Sequence, residues 1–310
     1  MAPSALALGS LLEGEFALEE KLGAKVYRAR RTHDGRELAV RIVQPANPEQ
    51  TNDFLALAEA ASRVRHPTLA SVEAYGRLEG HGCYIATEYI AGKRLDVWAD
   101  HIGIPPLSQV VELVRRLCIG LQAAARAGVV HDALNPRNVR VVSVAKTTGT
   151  RTPMKLLDLG VPAFAYDHAA DPLALRFMAP EQLALFSRPE LPKAFRCNET
   201  MNVHSCGSLL YYLTTGGPPF AGATASELLS SQRAARLVPP ARINPQISGG
   251  LDEVIVRALA LDPSERFASV AELGEALGLV SSSNIPSSRS GSHVFTLSTV
   301  PPAPPDPFFD

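Results

Sequence analysis

The sequence has no apolar run long enough to cross a bilayer: each is broken by charge or proline well short of the ~20 residues a spanning helix needs. The apolar stretch Met1 to Ser10 has no positive segment before it, so it does not read as a secretory signal. Cysteine is scarce. Cys83, Cys118, Cys197 and Cys206 show no C-x-x-C spacing, and a chain of 310 residues needs no disulfide staples. Reduced thiols in a cytoplasmic protein are therefore expected. Charge of one sign is also lacking. A net charge of −1 offers no polyanion-binding surface, so nucleic acid is not an expected partner. With 46% hydrophobic and 20% charged residues, the chain has the balance of a soluble globular protein with room for one large domain or two ordinary ones.

What is present is patterned. Residues 9 to 43 alternate as strands, with a hairpin signal at His33-Asp34-Gly35. Leu69 to Tyr75 and Gly82 to Ile90 read as two further strands. Ser108 to Ala127 is a predicted helix: Val111, Val114, Leu117, Cys118 and Leu121 recur at helical spacing, Ser108 is the candidate N-cap, and Gly128 ends it. The stretch V-V-H-D-A-L-N-P-R-N follows from Val129 to Asn138. Two short apolar runs come next, Val139 to Val144 and Met154 to Leu157, joined by a Thr-rich basic connector that reads as a surface insertion. From Ser281 the composition turns to serine and proline, cannot bury a core, and reads as disordered or polyproline II, either a passive tail or a docking segment.

His131, Leu134, Pro136 and Asn138 fall without a gap on the H-x-x-L-x-P-x-N positions of a protein-kinase catalytic loop. His66-Pro67, Asp158-Leu159-Gly160, Ala179-Pro180-Glu181, the M-N-V-H-S-C-G-S-L-L-Y-Y-L segment from Met201 to Leu213 and L-D-P-S-E-R-F from Leu261 to Phe267 follow in the same order. The chain thus resembles the bacterial-type Ser/Thr protein kinase family. The resemblance implies an α+β, two-lobed fold: a leader at 1–8, a small β-rich N-lobe at 9–90, a larger helical C-lobe at 91–280, and a Ser/Pro-rich tail at 281–310. It also implies structural roles for His131 and for a buried pair between Glu181 and Arg266.

The departures from the family pattern are as ordered as the matches. Ala133 stands where the family has its catalytic Asp, a carboxylate that accepts the proton of the attacking hydroxyl. Asn135 replaces the loop Lys, and Ala174 replaces the Thr that binds both. Asp132 replaces the Arg that receives an activation-loop phosphate, and Val161 to Met178 contains no Ser or Thr, only Tyr166. Gly23 is followed directly by Ala24 and Lys25, leaving no glycine-rich flap for phosphates. Arg41 takes the place of the strand lysine, a substitution that is not conservative. Leu57 takes the place of its Glu partner on the next helix, predicted over Pro48 to Arg63, and Glu59 lies about 200° round that helix. A shifted alignment would restore Glu59 as the partner. Asn202 replaces an Asp that anchors the catalytic-loop backbone.

Thr87 takes the gatekeeper position, with Glu88, Tyr89 and Ile90 as the hinge. Asn138 and Asp158, the family's metal-holding residues, are both present. Nucleotide-binding candidates are therefore Lys25, Arg41, Glu88, Ile90, Asn138 and Asp158, with Asn138 and Asp158 as metal candidates. The reading is a pseudokinase that holds ATP with Mg²⁺ weakly or not at all and acts on a protein partner, an active kinase or other signalling protein. The alternative is an atypical ATP-dependent Ser/Thr kinase in which Lys25 supplies the relocated lysine and Asp132 the base. Transfer of another group, such as a nucleotidyl group, is a third reading.

Overall fold

The computed structural model describes residues 7–79, 82–142, 153–166, 172–187, 198–234 and 237–282. The 281–310 tail and the long connector after Val142 fall almost wholly outside them.

The first part of the chain builds a six-stranded antiparallel sheet in the order β1-β2-β3-β4-β6-β5. Its strands are β1 (Leu11–Leu12), β2 (Phe16–Gly23), β3 (Val26–Arg31), β4 (Glu37–Val43), β5 (Val72–Leu78) and β6 (Gly82–Glu88). The β3–β4 turn forms as its sequence dictates. The Asp34 carboxylate accepts from the Arg36 N–H at 3.1 Å, and Gly35 takes φ +72°, a left-handed conformation that glycine adopts without penalty. Gly23 pairs directly with Val26, so only Ala24 and Lys25 make the β2–β3 turn.

Period-two alternation then divides the sheet. Leu38, Val40 and Ile42 of β4 join Phe16, Leu18, Tyr27 and Tyr84 in one cluster on the outer face. Ala39 and Arg41 project from the opposite face, where Ala39 pairs with Thr87 and Arg41 with Ile85.

Helix α1 (Pro48–Ser62) packs against β5 and β6. Asn47 caps it by accepting from the Gln50 N–H, and Pro48 fits the first helical turn. Phe54, Ala58 and Ala61 are its buried residues. They belong to the same apolar cluster as Ile85, Leu159 and the large helices of the second lobe, so the two lobes share a core.

β5 starts three residues later than the strand predicted from Leu69. The Leu69–Ala70 backbone is taken by another partner: Leu69 bridges to Leu156, and the Ala70 N–H donates to the Leu156 carbonyl at 2.8 Å.

The second part is mainly helical, with α2 (Leu95–Ile102), α3 (Leu107–Arg126), α4 (Pro172–Leu175), α5 (Pro180–Ser187), α6 (Glu199–Thr215), α7 (Ala225–Ala234), α8 (Pro240–Ile243), α9 (Gly249–Ala258) and α10 (Val270–Ser282). A small sheet of β7 (Lys93–Arg94), β8 (Val139–Val141) and β9 (Met154–Leu156) lies beside it. Ser108 is not the cap of α3. Leu107 is already helical and buried, Pro106 sits at the cap, and the Gln109 and Val110 N–H groups donate to its carbonyl.

α6 is buried on all sides from Met201 to Thr214, the mark of a central core helix, and packs against α3, α8, α9 and α10. Among the described residues no helix is long and apolar enough to cross a membrane. The architecture is the two-lobed α+β arrangement expected from the sequence.

Candidate functional site

The loop from His131 to Asn138 is held by its own polar atoms. The Asn202 side chain reaches up from α6 and makes two reciprocal bonds with His131. Its Nδ2 donates to the His131 carbonyl at 2.7 Å and its Oδ1 accepts from the His131 N–H at 3.1 Å. A carboxylate could make only the second bond, because an ionised Asp is acceptor-only.

His131 is buried, with Nε2 bonded to the Leu157 carbonyl at 2.8 Å and Nδ1 facing the Ala133 N–H at 3.3 Å. Nε2 therefore carries the proton. Burial pushes the imidazole pKa down and keeps it neutral. Asn135 and Asn138 each donate from Nδ2 to the Ala133 carbonyl at 2.8 Å, and Asn135 Oδ1 also caps the turn at Pro136–Asn138 through the Arg137 N–H. The Ala133 side chain is itself buried. The loop is thus closed on itself, with a methyl group at its centre.

This loop forms one wall of a cleft of about 590 Å³ between the lobes. Leu22, Val26 and Ala39 line it from the sheet, Glu88, Tyr89 and Ile90 from the connection between lobes, and Asn138, Arg140, Leu157 and Asp158 from the opposite side. Of the residues singled out from sequence, Lys25, Arg41, Glu88, Ile90, Asn135, Asn138, Asp158 and Ala174 all line it.

Leu57 and Glu59 do not. Leu57 packs on the core, and Glu59 is exposed and paired with Arg63 on its own helix. The shifted alignment that would make Glu59 the partner of Arg41 therefore has no support in the geometry. Asp132 is also absent from the lining; its Oδ2 accepts from the Ala163 N–H at 3.3 Å. Glu181 and Arg266 lie away from the cleft, joined by two bonds of 2.7 and 2.9 Å.

Arg41, expected to lack an ion pair, has a different one. Its Nη2 donates to Asp158 Oδ2 at 2.6 Å. Its guanidinium lies 5.0 Å from the centroid of the Tyr166 ring, and the Tyr166 hydroxyl sits beside the same carboxylate. Burial first, then that carboxylate, pushes the Tyr166 pKa well above its ordinary value, so the phenol stays neutral.

Asp158 takes φ +62°, uncommon for a residue with a side chain. Gly160 follows at φ +84°, and a Cβ on it would meet that of Ala61 on α1 at 2.7 Å. At the hinge, Glu88 Oε2 is held by Lys155 Nζ at 2.7 Å.

The residues present do not fit Mg²⁺. The one carboxylate beside Asn138 is already engaged by the Arg41 guanidinium, which an incoming ion would have to displace. Leu22, Val26, Ala39 and Leu157 are apolar residues of the lining.

Sequence reasoning missed Arg140, Phe164 and Lys155, and saw Tyr166 only as a lone hydroxyl. The signal for Arg140 was available: it sits between the buried Val139 and Val141 on a strand, so it must face the other way.

The fold has counterparts among known proteins. The serine/threonine-protein kinase Pkn1 of Myxococcus xanthus is 29% identical over 273 residues, which is 85% of this chain and 38% of Pkn1. The serine/threonine-protein kinase PknB of Mycobacterium leprae is 25% identical over 272 residues, 84% of this chain and 42% of PknB. The chain therefore spans well under half the length of these relatives.

Solved structures of Rad53 share the fold. Rad53 1–466 in complex with AMP-PNP matches with a TM-score of 0.65 at 18% identity, over 86% of this chain and 65% of that one. The Rad53 kinase domain with SCD2 matches at 0.62 and 19% identity, over 90% and 92%. The protein kinase domain model matches residues 17–276, taking in the sheet from Ala17 onward, the cleft and the helices into α10, and on that extent the chain belongs to the protein kinase domain family.

Proposed function

We propose that this chain is a pseudokinase, a kinase-family domain that does not transfer phosphate and acts as a scaffold or allosteric partner for another protein, such as an active kinase or other signalling protein. The observation that carries the reading is Ala133: the loop position that would need a proton-accepting carboxylate presents a buried methyl group. Loss of a general base alone removes about 10²- to 10⁴-fold in rate. The engagement of Asp158 by Arg41 adds to that loss, because phosphoryl transfer rests on positioning and charge stabilisation around the phosphates.

The atypical-kinase reading needs Asp132 as base. Asp132 does not line the cleft, and its carboxylate accepts from the Ala163 N–H. Lys25 does line the cleft and could meet phosphate, which serves binding as well as chemistry.

The test is phosphate incorporation from labelled ATP with Mg²⁺ or Mn²⁺, into the chain and into generic Ser/Thr substrates. The expected result is none above a heat-inactivated control. Incorporation that disappears in Asp132→Asn would sink the pseudokinase reading in favour of the atypical kinase.

A further inference from the structure

The charges that line the cleft do not balance. Two carboxylates line it, Glu88 and Asp158, and each is taken: Glu88 by Lys155 at 2.7 Å and Asp158 by Arg41 at 2.6 Å. Asp96, just beyond, is held by Arg94 at 2.9 Å and faces Arg137 at 3.6 Å. Two cations that line the cavity, Lys25 and Arg140, are left with no carboxylate partner among the described residues.

They enter from opposite lobes. Lys25 is exposed at the β2–β3 turn, and Arg140 is half-buried on β8. Burial, with Arg94 close by, holds the Arg140 guanidinium below its ordinary pKa against the pull of Asp158 and Asp96. A cleft with cations from both lobes that no described carboxylate pairs, and with apolar Leu22, Val26, Ala39 and Leu157 in its lining, suits an anion that carries a flat apolar part.

We propose that the cleft binds a nucleoside polyphosphate without a divalent cation, the Arg41 guanidinium taking the place of the metal on Asp158, with Lys25 and Arg140 as the residues that hold the anionic end. The reason is electrostatic. A divalent ion entering at Asp158 must expel a guanidinium from a bond of 2.6 Å, and the other carboxylate of the lining, Glu88, is already held by Lys155. A metal-free polyphosphate meets two waiting cations instead, and charge-assisted bonds of this kind are the strong ones. Complexing the ligand with Mg²⁺ removes charge from the ligand without giving the metal a free carboxylate in return.

The proposal rests on reading the chain as a pseudokinase that retains its cleft. The two are separable, since phosphate transfer would overturn that reading while metal-free binding stays measurable.

The experiment is calorimetric titration of the chain with ATP and with tripolyphosphate, in EDTA and in excess Mg²⁺. Binding of both probes in EDTA is expected, ATP the tighter, with affinity unchanged or lower in Mg²⁺. Lys25→Ala, at an exposed turn where folding is not at stake, and Arg140→Leu should each weaken tripolyphosphate by about tenfold. Thermal melts without ligand show whether Arg140→Leu folds. Binding that requires Mg²⁺, binding that neither substitution changes, or no binding of either probe overturns the proposal.

Discussion

Arg41 Nη2 and Asp158 Oδ2 lie 2.6 Å apart across the cleft, from residues 117 positions distant in the chain. Both side chains are largely buried, 17% and 16% exposed. The pair therefore ties β4 to the segment after β9 and occupies the carboxylate that would otherwise be free to take a metal.

Removing one partner should leave the other charge stranded. Arg41→Met is expected to lower the unfolding free energy by about 2 kcal/mol, less than a fully buried pair because both groups keep some solvent. Adding Asp158→Asn should restore more than half of the loss; Asn tolerates the positive φ at that position. Urea unfolding of the parent, both single variants and the double variant decides, and additive losses would count against a direct coupling.

The Glu181–Arg266 pair is the deeper one. The Arg266 side chain is fully buried and also donates to the carbonyls of Ala260, Leu261 and Thr200. Glu181→Gln should destabilise by about 3–5 kcal/mol, the range for breaking a buried pair. A variant that melts within a degree or two of the parent would contradict this.

Restoring the family's residue at position 202 should be harmful. Asn202→Asp deletes the donor to the His131 carbonyl and sets a carboxylate oxygen against it, a loss of about 1–3 kcal/mol. Denaturant midpoints measured in parallel test it; a rise in stability would show that the charge-assisted bond to the His131 N–H outweighs the lost donor.

Stability should fall in mild acid. Burial depresses the pKa of His131 and, more strongly, of His204, which is enclosed within α6. The unfolded chain then binds protons below about pH 6.5 that the folded chain refuses, so stability rises with pH through that window and is lost as pH drops below it. The slope approaches about 1.4 kcal/mol per pH unit for each fully coupled histidine. Urea unfolding at pH 7.5 and 5.5 measures it, and His204→Leu should flatten the dependence.

Returning one carboxylate should not return activity. Ala133→Asp leaves Asn135, Ala174 and the Arg41–Asp158 pair in place. No phosphate incorporation is expected from it, alone or with Arg41→Lys. Turnover in the single variant would mean that the remaining site is competent and only the base is missing.

The sequence by itself determined the order of the motifs and several of the elements, because these are written in local patterns. Alternation marked β3 and β4, helical spacing marked α3, and the Asp34-Gly35 turn joined strands whose register needs it. It also showed which chemical groups are missing, since Ala133 cannot be a base in any fold. Where competition between distant segments sets the outcome, local patterns were silent. The start of β5 is set by Leu156, which takes the backbone of Leu69 and Ala70.

Only the tertiary structure decided what the remaining charges do. Arg41 looked like a residue deprived of its partner on α1. The fold brings it to Asp158 instead, brings Lys155 to Glu88, and leaves Lys25 and Arg140 facing the same cavity. Ion pairs depend on the separation of side chains from remote elements, and no periodicity in the chain encodes that separation.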